Sequence, residues 1–537
     1  MEGEKQDWQA IVAKKRQIQR DLLSQHVTTE AQAAQCQDPR IPVGEAAFSE
    51  IAIKVSRSEL SCEEVVKEYI CRAAKAQAKA NCLTEILFDN ALSRAKELDS
   101  YFQKNGRPIG PLHGIPVTLK DQFDVAGFDS TIGYVGRSFS PATRDSAVVE
   151  MLQSLGAIVI AKTNLPQSIM WCETENPLWG LTTNPLRSDY TPGGSTGGEA
   201  VLLASDATVL GWGTDIGGSI RIPSHMNGLY GFKPSSARLP YRGVPVSTEG
   251  QEHVPSSVGP MARSLDAIHI AYKSLIDLKP WDFDARCAAI PWREDIYQDA
   301  LKRPLVIGVL FDDEVVRPHP PITRVLRSAV EAFRAAGHNI VDWNAQLHAE
   351  CVEVMDQFYK ADGGEDIRKD MEVGGEPFIE HVQKLVNCGD PISVFQYWQL
   401  NKRKWELQQR YLEKWSAIRS AQNNQPVDVV MMPPMPHTSV PHRSCRWVGY
   451  TKVWNVLDYP ALVIPGGNVH DQDNSSSWSF EPRNALDEWN KSLWEDCKTT
   501  MASLELPVGI QIIGRRYTDE TVLAAAKVLD NVLRALA

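Results

Sequence analysis

Nowhere does this sequence offer the 18 or more consecutive apolar residues that a membrane-spanning helix needs, so no segment is expected to cross a bilayer. Basic runs are equally scarce. With 56 Lys and Arg against 67 Asp and Glu, the chain carries a formal charge of −11 and a pI of about 5.6. A surface of that average sign repels a phosphate backbone, which argues against nucleic acid as a partner. Cysteine is sparse as well: the ten residues include no C-x-x-C pair, so neither a disulfide framework nor a zinc site is indicated, and no metal is expected. The first residues lack the apolar region of a signal peptide, and the expectation is a cytoplasmic protein.

Nucleotide-binding signatures are missing too. The phosphate-binding loop ends in Gly-Lys-Ser/Thr, and neither glycine run here does. A dinucleotide fingerprint fails where Ile216 stands in place of the third glycine after Gly211 and Gly213. No organic cofactor is expected.

What the chain does have is concentrated in residues 192–223, where two serines sit in glycine-rich backbone on either side of a short apolar segment. Ser195 lies in Gly193-Gly194-Ser195-Thr196-Gly197-Gly198, and Ser219 in Asp215-Ile216-Gly217-Gly218-Ser219. Glycines packed this densely let backbone N–H groups converge on one point, as an oxyanion hole requires. Upstream, Gly110 to Asp121 reads as a turn, a short apolar strand and then Lys120 at the strand's end. Together the three residues make a Ser-Ser-Lys set, with lysine as base, one serine as proton relay and the other as nucleophile. An exposed lysine is protonated at neutral pH, so Lys120 serves as a base only if burial lowers its pKa by several units. Asp121 and Asp124 are therefore expected to point elsewhere. His113 and His225 flank the motifs, but without a Gly-x-Ser-x-Gly elbow in a strand-to-helix context they read as structural. Asp215 and Arg221 read as an ion pair that fixes the loop of Ser219.

These motifs resemble those of the amidase signature family, whose hallmark pairs a Gly-Gly-Ser-Ser/Thr-Gly-Gly loop with the run found here unbroken as Gly213 to Pro223. Ile160 to Gln167, Tyr230 to Ser235, Ser257 to Met261 and Pro507 to Arg515 extend the resemblance, which covers roughly residues 45–535. It is greatest to the fungal acetamidase branch, through Leu239-Pro240-Tyr241, Glu249 to Glu252, Pro291-Trp292-Arg293 and Tyr411 to Trp415. Carried over by position, the resemblance implies Ser219 as the acyl-forming nucleophile, Ser195 as relay after a cis Gly194–Ser195 bond, and Lys120 as base. It further implies an oxyanion hole of the Ile216, Gly217, Gly218 and Ser219 amides, with Ile169 in the stretch 168–173 that lines the substrate cleft. Thr196 and Ala200 are small departures from the family pattern.

The implied fold is α/β, a mixed, twisted central sheet covered by helices on both faces, with residues 1–44 as a helical extension and 45–537 as one domain. Periodicity predicts helices at about 45–55, 62–79, 88–104 and 145–155, and strands at 115–119 and 157–162. The runs 305–310, 427–432 and 461–464 suit buried strands. Residues 346–424 read as largely helical and, with the loops near 435–455, as shaping the substrate entrance. Residues 471–479 read as a surface loop, and Trp8 to Leu23 as an amphipathic helix on the enzyme's own flank. The expected reaction is hydrolysis of a small amide to acid and ammonia through an acyl-serine. Met170, Trp171, Trp447 and Trp454 are expected to narrow the acyl site, so that small acyl amides and arylacetamides are cleaved and long-chain fatty amides poorly. A non-hydrolysing relative, either a binding protein or an ammonia-delivering subunit, is the alternative. Monomer and homodimer both remain open.

Overall fold

Strands short enough to be spanned by four to eight residues, nearly all buried on both faces, make the spine of the computed structural model, which describes residues 7–26, 38–474 and 478–535. In chain order they are β1 (Leu83–Ile86), β2 (Pro116–Lys120), β3 (Ile158–Thr163), the two-residue β4 (Glu175–Asn176) and β5 (Gly180–Leu181), β6 (Leu210–Asp215), β7 (Tyr230–Lys233), β8 (Ser257–Ala262), β9 (Val306–Val309), β10 (Asn339–Asp342), β11 (Val429–Met432), β12 (Ala461–Asn468) and β13 (Pro507–Ile513). Apart from the β4–β5 ribbon, they form one 11-stranded sheet in the order β1-β3-β2-β6-β8-β7-β12-β13-β11-β9-β10. The sheet is mixed: β3-β2-β6 and β11-β9-β10 run parallel, and the strands between them pair antiparallel. Chain-distant motifs meet in this way, because β12 and β13 enter the middle of the sheet beside β7.

The expected helices form close to their predicted limits, as Ala47–Ser56, Cys62–Ala80, Phe88–Asn105 and Ala147–Ser154. Local chemistry sets the ends of the second. Ser61 accepts from the Glu64 N–H at 3.1 Å while Glu64 accepts from the Ser61 N–H at 2.8 Å, a reciprocal cap, and Asn81 ends the helix in the left-handed region at φ 52°. The helix Pro320–Ala335 shows the amphipathic logic plainly, burying Ile322, Val325, Leu326, Ala329, Val330 and Phe333 at the three- and four-residue spacing of one face. Four helices fill residues 346–424: His348–Tyr359, Glu365–Gly374, Glu380–Val386 and Val394–Ala417.

Two expectations need correction in detail. The N-terminal helix, Trp8–His26, does lie on the enzyme's flank, but its buried stripe is Val12, Lys15 and Gln19, and Ile18 is exposed. Lys15 Nζ lies 2.5 Å from Glu85 and 2.8 Å from Asp129, and Gln19 donates to the Leu83 and Thr84 carbonyls at 2.9 Å, so polar keys join the apolar contacts of Trp8, Ile11, Val12, Leu22 and Leu23 in seating the helix. The stretch 471–479 begins as a short helix, Asp471–Asn474, and residues 475–477 lie outside the described residues. Among the described residues, eight cysteines are free thiols and Cys71 is disulfide-bonded, a crosslink that spacing alone did not indicate. No helix among the described residues is long and apolar enough to cross a membrane.

Candidate active site

Lys120 ends β2, which lies between β3 and β6, and its side chain is completely buried. Its Nζ sits 2.6 Å from Ser195 Oγ and 3.0 Å from Thr214 Oγ1, near the end of β6. Thr214 spends its own proton on Gln122 Oε1, at 2.6 Å, and so accepts from Lys120. A neutral Lys120 thus has an N–H directed at Thr214 and its lone pair free for the Ser195 hydroxyl.

Electrostatics favour that neutral form. Burial pulls the Lys120 pKa down to about 7, against the opposing fields of Asp215 and Glu199. Asp121 turns away as expected, accepting from the Thr131 hydroxyl and the Ile132 N–H at 2.9 and 2.8 Å. Glu199, from the helix Gly197–Ala204, is the acid that sequence reasoning missed. It is fully buried, and its two oxygens take the Thr118 and Thr163 hydroxyls at 2.5 and 2.8 Å. Burial pushes its pKa up to about 8, despite those hydrogen bonds and Lys120. Asp215 is the opposite case. Burial would raise it, but the Arg221 guanidinium overrides burial and holds the carboxyl well below its usual range.

Ser195 follows a cis Gly194–Ser195 peptide bond, as the resemblance implied. Gly194 is needed there for space, since a Cβ would come within 2.6–2.8 Å of the Glu173 backbone. Ser219 stands in the turn between β6 and the helix Arg221–Met226, half-buried, with its carbonyl accepting from the Thr196 N–H at 3.1 Å. Asp215 grips this turn from within. It accepts from the Gly218 N–H at 2.9 Å, the Ile220 N–H at 3.2 Å and two guanidinium nitrogens of Arg221 at 2.9 and 3.0 Å. Arg221 is tied in turn to Asn455 Oδ1 at 2.7 Å, so the expected ion pair belongs to a larger buried network.

The oxyanion-hole expectation changes in one place. Because the Gly218 N–H is bound to Asp215, it is not free for a substrate oxygen, whereas the N–H groups of Ile216, Gly217 and Ser219 meet no acceptor among the described residues. Lys120 and Ser195 are hydrogen-bonded, but no hydrogen bond joins Ser195 Oγ to Ser219 Oγ; both hydroxyl-bearing residues line one cavity.

That cavity, of about 580 Å³, also has Arg137, Tyr241, Glu249, Glu252 and Arg286 in its wall. A second, apolar pocket of about 90 Å³ opens beside Ser219, lined by Ile169, Met170, Trp171, Ile222, Leu385 and Val448, with Gly217, Tyr359 and Lys452. Ile169, Met170 and Trp171 fall where they were expected. Trp447 and Trp454 do not: Trp454 is buried in a core cluster with Tyr411 and Tyr459, and Trp447 donates to Asp313 at 2.6 Å, outside both cavities. Tyr359 and Leu385, from two of the helices in 346–424, take the place of the two tryptophans. Cys172 also borders the small pocket as a buried thiol.

His225 and His113 bond backbone groups and line neither cavity. His225 bonds the Gly509 N–H at 2.8 Å and the His437 carbonyl at 2.9 Å, and burial lowers its pKa to about 4. His113 accepts from the Ile109 N–H at 3.2 Å. Among the described residues, no cluster of three His, Cys, Asp or Glu side chains is placed to hold a metal ion.

Comparison with known proteins places the chain in a family. A family model described as Amidase matches residues 64–523. Amidase 1 of Gibberella moniliformis is 50% identical over 98% of this chain and 99% of its own length, and the acetamidase of Emericella nidulans is 36% identical over 92% and 91%. Among solved structures, a fatty acid amide hydrolase superposes with a TM-score of 0.85 at 29% identity, covering 98% of this chain and 95% of its own. A bacterial aryl acylamidase shares the fold, with a TM-score of 0.72 at 21% identity.

Proposed function

The chain belongs to the amidase family and is an amide-hydrolysing enzyme; from that premise we propose that it cleaves small carboxylic amides through an acyl-enzyme on Ser219, with Ser195 as relay and Lys120 as base. The observation that carries this reading is the 2.6 Å contact between the buried Lys120 amine and Ser195. With Lys120 neutral, its lone pair takes the Ser195 proton as Ser195 takes that of Ser219. The Ser219 alkoxide then attacks the amide carbonyl, and the developing oxyanion meets the Ile216, Gly217 and Ser219 N–H groups. Run in reverse, the relay delivers a proton to the leaving nitrogen, without which an amine leaves poorly. The link from Ser195 to Ser219 is made only when the substrate is engaged, since catalytic hydrogen bonds are often long or misaligned in empty sites. Water then releases the acid by the same route.

The two cavities suggest how the substrate lies. The apolar pocket suits the acyl chain, and the larger cavity of about 580 Å³, which has charged side chains in an otherwise mostly apolar wall, suits the amide nitrogen, its solvent and its exit. The apolar pocket, of about 90 Å³, is much the smaller of the two. Short aliphatic acyl groups therefore fit within it, and an arylacetyl group reaches into the larger cavity. Simple primary amides releasing ammonia, met in the cytoplasm, are the substrates this favours. The test is a ladder of primary amides from two to sixteen acyl carbons. Values of kcat/KM should be highest at about two to four carbons and fall beyond, each methylene counting for about 1–3 kcal/mol at most. A clear preference for the long chains would overturn the small-pocket reading.

A further inference from the structure

The loop that carries Ser219 is held from two sides, by Asp215 within and by two hydroxyls without. On the outer side, the Tyr359 hydroxyl donates to the Ile216 carbonyl at 3.3 Å, and the Thr451 hydroxyl donates to the Gly217 carbonyl at 2.6 Å. The two hydroxyls come from different helices, His348–Tyr359 and Gly449–Val456, which pack against each other and are joined by the Lys452–Asp356 ion pair at 2.5 Å. Burial keeps the Tyr359 phenol well above its ordinary pKa, so it remains a donor.

A trans peptide unit is planar, with its C=O and N–H on opposite sides. Fixing the Ile216 carbonyl on Tyr359 therefore turns the Gly217 N–H, in the same unit, away from Tyr359. In the next unit both ends are occupied, the Gly217 carbonyl by Thr451 and the Gly218 N–H by Asp215 at 2.9 Å. Two successive peptide planes are thus oriented, and the one amide they leave without an acceptor is that of Gly217. The fit is close. A Cβ on Gly217 would stand 3.2 Å from the Tyr359 hydroxyl, and Gly218, at φ +126°, occupies backbone space that suits glycine and lies against Thr451.

We propose that Tyr359 and Thr451 are positioning residues of the oxyanion hole, holding the Ile216 and Gly217 carbonyls from outside so that the Gly217 N–H is presented to the carbonyl oxygen of a substrate attacked by Ser219. The inference rests on the reading of Ser219 as nucleophile. Neither residue touches the reacting atoms in this role. Each acts through the peptide it orients, and the benefit appears where negative charge develops, in the transition state rather than in the bound substrate.

The experiment uses the full-length enzyme and its Tyr359→Phe, Thr451→Val and Thr451→Ser variants, each checked for an unchanged melting temperature. A short-chain trifluoromethyl ketone, which forms a tetrahedral adduct with a serine, probes the hole, and the matching carboxylic acid probes ground-state binding. Losing a direct oxyanion donor costs about 10²–10³ in kcat, so loss of the support behind one should cost about tenfold. Tyr359→Phe and Thr451→Val should lower kcat by about that factor with KM nearly unchanged, weaken the ketone in proportion and leave the acid within twofold. Thr451→Ser, which keeps the hydroxyl, should restore most of the loss. Values of kcat and ketone affinity within twofold of wild type in both folded variants would overturn the inference, as would equal weakening of ketone and acid. If Ser219→Ala binds the ketone as tightly as wild type, the nucleophile is misassigned and the inference falls with that reading.

Discussion

Replacing Lys120 by Met should inactivate the enzyme and make its fold more stable. The side chain is completely buried, and the drop of its pKa from the ordinary 10.5 to about 7 measures the cost of placing an ammonium there. At about 1.36 kcal/mol per pH unit, that cost is about 4–5 kcal/mol. Methionine fills nearly the same space but abandons the hydrogen bonds to Ser195 and Thr214, each worth about 1 kcal/mol. The net gain is then about 2–3 kcal/mol at pH 6. Its pH dependence has a definite sign. Below about pH 7 the folded and unfolded wild type both bind the proton on Lys120, and the full cost is present. Between about 7 and 10.5 only the unfolded state binds it, so wild-type stability rises with pH and the advantage of Met shrinks. Urea unfolding of both proteins at pH 6, 8 and 9.5 reads this directly. A Met variant less stable than wild type at pH 6, or a difference that does not change across the range, would refute a buried, neutral lysine base.

In wild type, the acid limb of kcat/KM should have its midpoint near pH 7, where Lys120 loses its proton, and an activity that rises instead toward acid pH would assign the base elsewhere. Ser195→Ala should cut kcat by about 10²–10³ yet leave measurable acylation, because a water can bridge Lys120 to Ser219; loss as complete as in Ser219→Ala would deny Ser195 the relay role. Lys15→Met leaves Glu85 and Asp129 facing each other without their cation beneath the N-terminal helix, and should lower stability by about 3–5 kcal/mol; a loss under about 1 kcal/mol in thermal unfolding would show that the helix is held by something else.

Much of the candidate site was legible because its proposed chemistry demands unusual residues in short order. Glycines on both sides of Ser195 and just before Ser219, and a lysine closing an apolar strand, are local signals. The same holds for β3, β9, β11 and β12, whose continuous apolar runs announce burial on both faces. What the sequence hid is tertiary. Glu199 reads as an ordinary acid near a helix start, and only the pairing of β2 with β3 brings Thr118 and Thr163 to its two oxygens. Tyr359 and Thr451 lie 143 and 234 residues after the carbonyls they hold. Trp454 was misplaced because an aromatic beside the cleft in sequence has the same signature whether it faces ligand or core, and here packing with Tyr411 and Tyr459 decides. Strand β8 contains Gly259 and Pro260, which commonly interrupt a central strand, yet it lies between β6 and β7; Gly259 is tolerated because the Phe232 backbone crowds the space where its side chain would be.

The proposed nucleophile can be identified by covalent labelling. Intact-protein mass spectrometry of the enzyme treated with a fluorophosphonate, followed by digestion and peptide mapping, should show a single adduct on the peptide containing Ser219, formed faster as pH rises through about 7 and absent in Ser219→Ala. An adduct on Ser195 or on any other residue, or none on a correctly folded wild type, would contradict the Lys120–Ser195–Ser219 assignment.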